Sequence, residues 1–463
     1  MSLGLETLAP CFQGIIPSML FTCSKDGTPN TAYLSHVDYV DPSHVALSFQ
    51  FFNKSRRNIA ENPLAMVHLT DPDTQQGWSL RLRFVRSETE GPVFERMALR
   101  IEAIASYSGL KGIFKLLASD IYEVTAVEPI ANEPGQADAG ALGRGRSADH
   151  DAVFTMKALQ DLSQRIHAAN SLEALLESIL AGIEQAFGFS HTMILLAGDE
   201  PGALVTIASR GYEDTGVGAE ARFGEGIAGL VAEAQKPIRI SGLLRGMLYA
   251  NAVRQRAEQA GLCGSHQHIA MPGLKNPASQ LGVPLLVRGE LVGVLCIESE
   301  TPYRFHEEDK ASIELLGSYL AIAIQNMQLQ ESADSASEAG NTVNALPPVS
   351  AIALAAPASA VTYYKADETI MVDGEYLIRG LPARILWKVL QIHEAEGRMD
   401  FTNRELRLDK SLALPGYRDN LETRLLLLRR RLEQKHPGIR IVPCSRGRFS
   451  LALAGEVRLA EVN

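Results

Sequence analysis

The stretch "SQLGVPLLVRGELVGVLCIESETPYRFHEEDKASIELLGSYLAIAI", residues 279–324, carries the reading that decides the fold. Two apolar runs, "SQLGVPLLV" and "LVGVLCIES", are separated only by "RGE". So short a connection joins antiparallel strands and cannot cross over between parallel ones. Ile313, Leu316, Leu320 and Ile324 then recur along one face of a helix. A strand hairpin followed at once by an amphipathic helix predicts helices enclosing an antiparallel sheet, an α+β unit.

Upstream, "TMKALQDLSQRIHAANSLEALLESILAGIEQAF" supplies two more helices. Leu159, Leu162 and Ile166 mark the first and Leu175, Ile179 and Ile183 the second, with a cap signal at Asn170 and Ser171 between them. A strand, "HTMILLAG", follows. Together with "GEGIAGLVAEAQKPIRIS", these segments in this order resemble a GAF domain over about residues 155–328. The resemblance implies a small-ligand or prosthetic-group pocket on one side of the sheet. It also implies a homodimer through the first and last helices.

Between two matched segments lies "GLCGSHQHIAMPG", residues 261–273, preceded by the helix-like "LYANAVRQRAEQAG". Extended chain would place His266 and His268 on one face, whereas a helical turn would bring Cys263 and His266 together. A thiolate and two imidazoles suit zinc or iron, and one imidazole alone suffices for haem. A closed zinc site needs a fourth ligand, for which His191 and Cys296 are the candidates. The alternative is a polar surface loop whose histidines hydrogen-bond locally. By the GAF resemblance, Cys263, His266 and His268 stand at the wall of the pocket.

Working outward, residues 131–151 and 331–360 have linker composition, rich in Ala with Gly and Asp or with Ser and Pro. They leave blocks at 1–130, 152–330 and 361–455, the division expected of 463 residues at roughly 150 per domain. In the first block short β-type runs alternate with the turns "KDGTPN" and "DPSH", which predicts a small barrel. Lys54, Ser55, Arg56, Arg57 and Asn58 follow a strand and open a short helix. Such a turn is either a solvated surface or a phosphate cradle.

The run "SKDGTPNTAYLSHVDYVDPSHVALSFQFFNKSRRNIAENPLAMV" resembles the FMN-binding split barrels related to pyridoxamine 5′-phosphate oxidase, over most of residues 10–130. By that resemblance Lys54, Arg56, Arg57 and Asn58 hold the FMN phosphate, and Ser35, Ser48 and Gln50 stand near the ring. The Arg-Leu-x-Pro type segment that true oxidases use around substrate is missing, which argues against that activity.

The third block is basic on an acidic chain. Residues 361–453 hold 17 Lys and Arg against 12 Asp and Glu, while the whole chain carries −10. A local excess of this kind points to a nucleic-acid partner. Pro382 sits in the first turn of one helix, and Thr402 with Glu405 forms a capping box for the next. A long helix over 419–435 carries Leu421, Leu425, Leu428 and Leu432 in one stripe, and a hairpin turning at Gly447 closes the block.

"NLETRLLLLRRRLEQ" and "IRIVPCSRGRFSLAL" resemble the recognition helix and wing of the OmpR-type winged-helix family. The resemblance implies contact with double-stranded DNA through Arg418, Asn420, Thr423, Arg424 and Arg430 on the helix and Arg446 and Arg448 on the wing. Leu426 and Leu427 depart from that family's polar pattern and suit thymine methyls, a protein partner or another part of this chain.

Five scattered cysteines, the absence of a leader pattern and the shortness of the apolar runs predict a soluble cytoplasmic protein. The combined expectation is a β split barrel, then an α+β GAF sensor domain, then a winged helix-turn-helix. That makes a one-component transcriptional regulator, a homodimer sensing a redox cofactor or small ligand. A flavin-dependent oxidoreductase with regulatory domains, or a protein-interaction adaptor that does not bind DNA, are the competing readings. No catalytic acid, base or nucleophile set stands out.

Overall fold

The computed structural model describes residues 4–13, 18–50, 54–71, 76–107, 115–130, 148–198, 200–241, 269, 271–275, 277–301, 304–337, 359–412, 421–445 and 447–462. The N-terminal part opens with a 3-10 helix, Leu5–Gln13, and strands β1 (Ser18–Cys23), β2 (Pro29–Leu34), β3 (Val37–Asp41) and β4 (His44–Phe49). Helix α1 (Lys54–Glu61), β5 (Leu64–Thr70), β6 (Gly77–Glu88), α2 (Pro92–Tyr107) and β7 (Ala118–Pro129) complete it. The strands form one antiparallel sheet in the order β2-β1-β5-β6-β7-β4-β3. Alternate residues point inward, and Leu20, Leu47, Val67, Leu80 and Tyr122 meet in its apolar interior.

The central part starts with helices α3 (Ala148–Ala168) and α4 (Leu172–Phe187), the second capped by the Ser171 hydroxyl. Strands β8 (His191–Ala197), β9 (Ala203–Arg210) and β10 (Glu220–Arg222), helix α5 (Gly226–Ala234) and strand β11 (Ile238–Ser241) follow. The hairpin of β12 (Ser279–Val287) and β13 (Glu290–Ser299) leads into α6 (Glu307–Ser337). The strands stand in the order β10-β9-β8-β13-β12-β11. The hairpin turns on Arg288 and Gly289, both at positive φ, as a tight two-residue turn requires.

Helices α3, α4 and α6 cover one face of this sheet. The predicted stripes Leu175, Ile179, Ile183 and Ile313, Leu316, Leu320, Ile324 all lie in the core beneath them. Helix α5 covers the other face. It comes so close that a Cβ on Gly282 would stand 2.8 Å from Val231 Cγ2.

The C-terminal part contains β14 (Ser359–Tyr364), β15 (Thr369–Val372), β16 (Glu375–Arg379), α7 (Leu381–Glu396), β17 (Asp400–Thr402) and α8 (Asn403–Leu408). Helix α9 (Leu421–Lys435), the hairpin β18 (Ile439–Ser445) with β19 (Arg448–Leu453), and β20 (Val457–Val462) complete it. The capping box of Thr402 and Glu405 is present, Pro382 stands in the first turn of α7, and Gly447 in the hairpin turn has φ +71°. Leu421, Leu425, Leu428 and Leu432 are all buried.

Ordered structure reaches further than composition suggested. Helix α3 begins at Ala148 and α6 runs to Ser337, both inside the segments read as linkers. Alanine drives both a linker-like composition and high helix propensity, so composition alone misplaces those ends. At the far end β20 extends past residue 455 and pairs parallel with β14. Among the described residues, no helix is long and apolar enough to cross a membrane.

Candidate functional site

Strand alternation divides the central sheet into two chemically different faces. Directly opposed residues of an antiparallel pair share a face. Thr192 with Ile297 therefore faces the three helices, while Met193 with Cys296 faces α5. His191 opposes Glu298, and Glu298 opposes Gln280. The α5 side thus carries a row of polar side chains at one end, His191, Glu298 and Gln280, which interrupts its apolar floor.

Glu298 is the centre of this row. Its Oε1 accepts from Gln280 Nε2 at 2.6 Å and its Oε2 from the Leu274 N–H at 2.8 Å. Burial raises its pKa, partly opposed by those two donors and the Tyr212 hydroxyl. No cation contributes among the described residues. Tyr212 packs edge-on against His191, with ring centroids 5.4 Å apart. Cys296 lies two residues away on the same face, and burial pushes its thiol up as well. A buried carboxyl held by neutral donors is chemically suited to accept from an ammonium or N–H group.

Sequence reading passed over Glu298. The signal was an acidic residue in the otherwise apolar run "LVGVLCIES", where period two sets Glu298 and Cys296 opposite Leu295 and Ile297. Leu274, which binds Glu298, follows directly on residues 261–273. Cys263, His266 and His268 themselves lie outside the described residues. Among the described residues no group of three potential metal ligands is assembled.

A family model described as GAF domain matches residues 169–325. Residues 169–325 form a GAF domain. Among solved structures, the chain is similar to the GAF domain of a phosphoenolpyruvate-protein phosphotransferase from Coxiella burnetii, at 25% identity. That match covers 39% of this chain and 99% of that one, with a TM-score of 0.31. A free methionine-R-sulfoxide reductase from Neisseria meningitidis, in complex with its substrate, is 21% identical over 41% of this chain and 98% of its own, with a TM-score of 0.30. An FMN-binding protein from Syntrophomonas wolfei subsp. wolfei is 18% identical over 28% of this chain and 88% of its own, with a TM-score of 0.23. No curated protein matches the chain. The GAF domain serves ligand sensing, a regulatory role.

Both neighbouring parts touch the GAF domain. On the α5 side Lys236 pairs with Glu95 of α2 at 2.8 Å, and Leu99 packs on the adjoining apolar cluster. On the other side the GAF core runs without a break into that of the C-terminal part. A cleft of about 190 Å³ lies at that second junction, with Val205, Gly218 and Glu220 facing Arg379, Arg424 and Leu427.

The residues predicted to contact DNA are distributed unevenly. Thr423 and Arg424 are buried, and Arg430 donates to the Ile207 carbonyl at 3.0 Å and to Glu177 at 3.1 Å. Leu426 and Leu427 are buried too, the latter against Gly218 of the GAF domain. Arg448 is exposed on the hairpin. Arg418, Asn420 and Arg446 lie outside the described residues.

The residues predicted to hold FMN separate likewise. Lys54 and Arg57 stand exposed on α1, and Arg56 lies 4.1 Å from the centre of the Phe49 ring. Asn58 turns inward, donating to Thr22 Oγ1 at 3.2 Å, and Ser48 Oγ accepts the His36 N–H at 3.1 Å. Ser35 donates to Gln50 Oε1 at 2.5 Å, which leaves Gln50 Nε2 buried without a hydrogen-bond partner among the described residues.

Proposed function

We propose that the chain is a one-component transcriptional regulator. Its GAF domain binds a small molecule that presents an ammonium or N–H group to Glu298, and its C-terminal part binds duplex DNA as a winged helix. The observation that carries this reading is the seating of the basic C-terminal part, through α9, directly on the sensor. A ligand bound on one side of the GAF sheet changes what the other side holds, provided it binds the two arrangements with different affinity. The order of α7, capped α8, α9 and an Arg-bearing hairpin supports the winged-helix assignment.

Homodimer formation belongs to the same reading. Leu315, Tyr319, Ile322 and Leu329 are exposed on α6 at heptad-like intervals, with Asn326 filling the vacant position. A second copy of α6 fits this stripe, and pairing would set two output modules on paired half-sites.

In the N-terminal sheet, FMN is the proposed cofactor, with Lys54 and Arg57, exposed on α1, as its phosphate ligands and the unmatched Gln50 amide as a donor to the ring. Bound flavin would supply an electron-accepting centre. Cys263, His266 and His268 are proposed as the metal or haem ligands beside the GAF pocket. A visible spectrum and elemental analysis of purified protein test both cofactors.

The DNA reading is tested by selecting from a genomic fragment library with the full-length protein. A discrete set of fragments should be enriched, with affinity that falls steeply as salt rises. Arg448→Ala should weaken binding across sequences and reduce the salt slope by about one. Absence of enrichment, for this chain and for the opened variant described next, would remove DNA binding from the function.

A further inference from the structure

We infer that an acidic face of the GAF domain, formed by Glu173, Glu177, Asp214 and Glu220, is a built-in competitor for nucleic acid that holds α9 shut. The inference rests on the regulator reading and supplies its resting state.

The contacts are specific and come from two arms. From α9, Arg429 pairs with Glu173, Arg430 donates to Glu177 Oε1 at 3.1 Å, and Gln434 donates to Asp214 Oδ1 at 3.1 Å. From β16, Arg379 makes a two-pronged pair with Glu220, its Nε donating to Oε1 at 3.1 Å. Glu173 and Glu177 stand one helical turn apart on α4, so two adjacent guanidiniums find two carboxylates at matching intervals. The Arg430 bond to the Ile207 carbonyl also reads the backbone of β9, which fixes the register of the dock.

Burial makes the contact exclusive. The Arg429 and Arg430 side chains are only 14% and 13% exposed, and Leu427 of the same helix is seated on Gly218. A phosphate backbone cannot reach these guanidiniums while the carboxylates hold them. Undocking returns the guanidiniums and the carboxylates to water, where phosphates can take the place of the carboxylates. Affinity for DNA is therefore lowered to the extent that the docked arrangement is populated.

The test compares two full-length variants carrying the same change in net charge. Glu173→Lys/Glu177→Lys removes the clamp at two partly exposed positions. Glu123→Lys/Glu233→Lys places the same charges on exposed sites away from it. Amide hydrogen exchange of α9 and affinity for a random-sequence duplex are read in parallel. The clamp predicts faster exchange in α9 and a gain in affinity of about tenfold or more for the first variant over the second. Equal affinity gains in the two variants overturn the inference, as does unchanged α9 exchange. Faster α9 exchange with no DNA binding by any variant upholds the clamp and removes the regulator reading instead.

Discussion

The two faces of strand β13 differ in chemistry. Leu295 and Ile297 point into a core shared with the C-terminal part, whereas Cys296 and Glu298 lie on the α5 side, where the buried carboxyl interrupts an apolar cluster. One strand thickness separates the two environments. The difference teaches that β13 is packed on both sides, so a shift of this strand would disturb both faces at once.

Three substitutions probe that contrast. The largest effect is expected on the helix side. Ile297 is fully buried, so Ile297→Ala should cost about 2–5 kcal/mol in urea unfolding. Because the core continues into the C-terminal part, near-UV and α9-specific probes should shift together. Independent transitions would break the idea of a shared core.

On the α5 side the effect reverses with pH. Glu298 has a raised pKa, so its favourable, neutral form is present below the ordinary carboxylate range, and the stabilisation is lost as pH rises through the folded-state value. Glu298→Gln should therefore raise the melting temperature by a few degrees at pH 8, and the gain should shrink towards pH 4. The unmatched Gln280 Oε1 can turn to meet the new amide. A variant that melts below the parent at pH 8 would mean that the carboxylate is needed structurally, and the pocket reading would lose its main support.

The smallest effect sharpens the same boundary. Thr192 is fully buried on the helix side, and its hydroxyl has no hydrogen-bond partner among the described residues. Thr192→Val should stabilise by about 1 kcal/mol, since that face rewards apolar atoms. Calorimetry at neutral pH resolves a change of that size.

What was legible in the sequence follows from how local each cause is. The stripes on α4, α6 and α9, the capping box and the hairpin turn all depend on residues within a few positions of each other, and all are present. The inward turn of Asn58 has a cause of the same local kind. Ser55, Asn58 and Ile59 recur at helical spacing and face inward together, whereas the cationic neighbours drew attention to the outer face.

The dock of α9 lay beyond such reasoning, because Arg429 and Arg430 look like any solvated basic run until Glu173 and Glu177, remote in sequence, come beside them. One trace did exist. Leu426 and Leu427 lie off the stripe of Leu421, Leu425, Leu428 and Leu432, and a helix apolar on two sides is one that is covered on two sides.

The alternation along β13 also has a consequence for how this protein can change over generations. A substitution on one face leaves the side chains of the other in place. Insertion or deletion of a single residue between Gly293 and Ser299 would exchange the two faces over the shifted stretch. Glu298 would enter the shared core while Ile297 entered the α5 side, so both faces would be disrupted in one event. Length variation in this chain should accumulate in the turns around β13 and be absent from the strand itself.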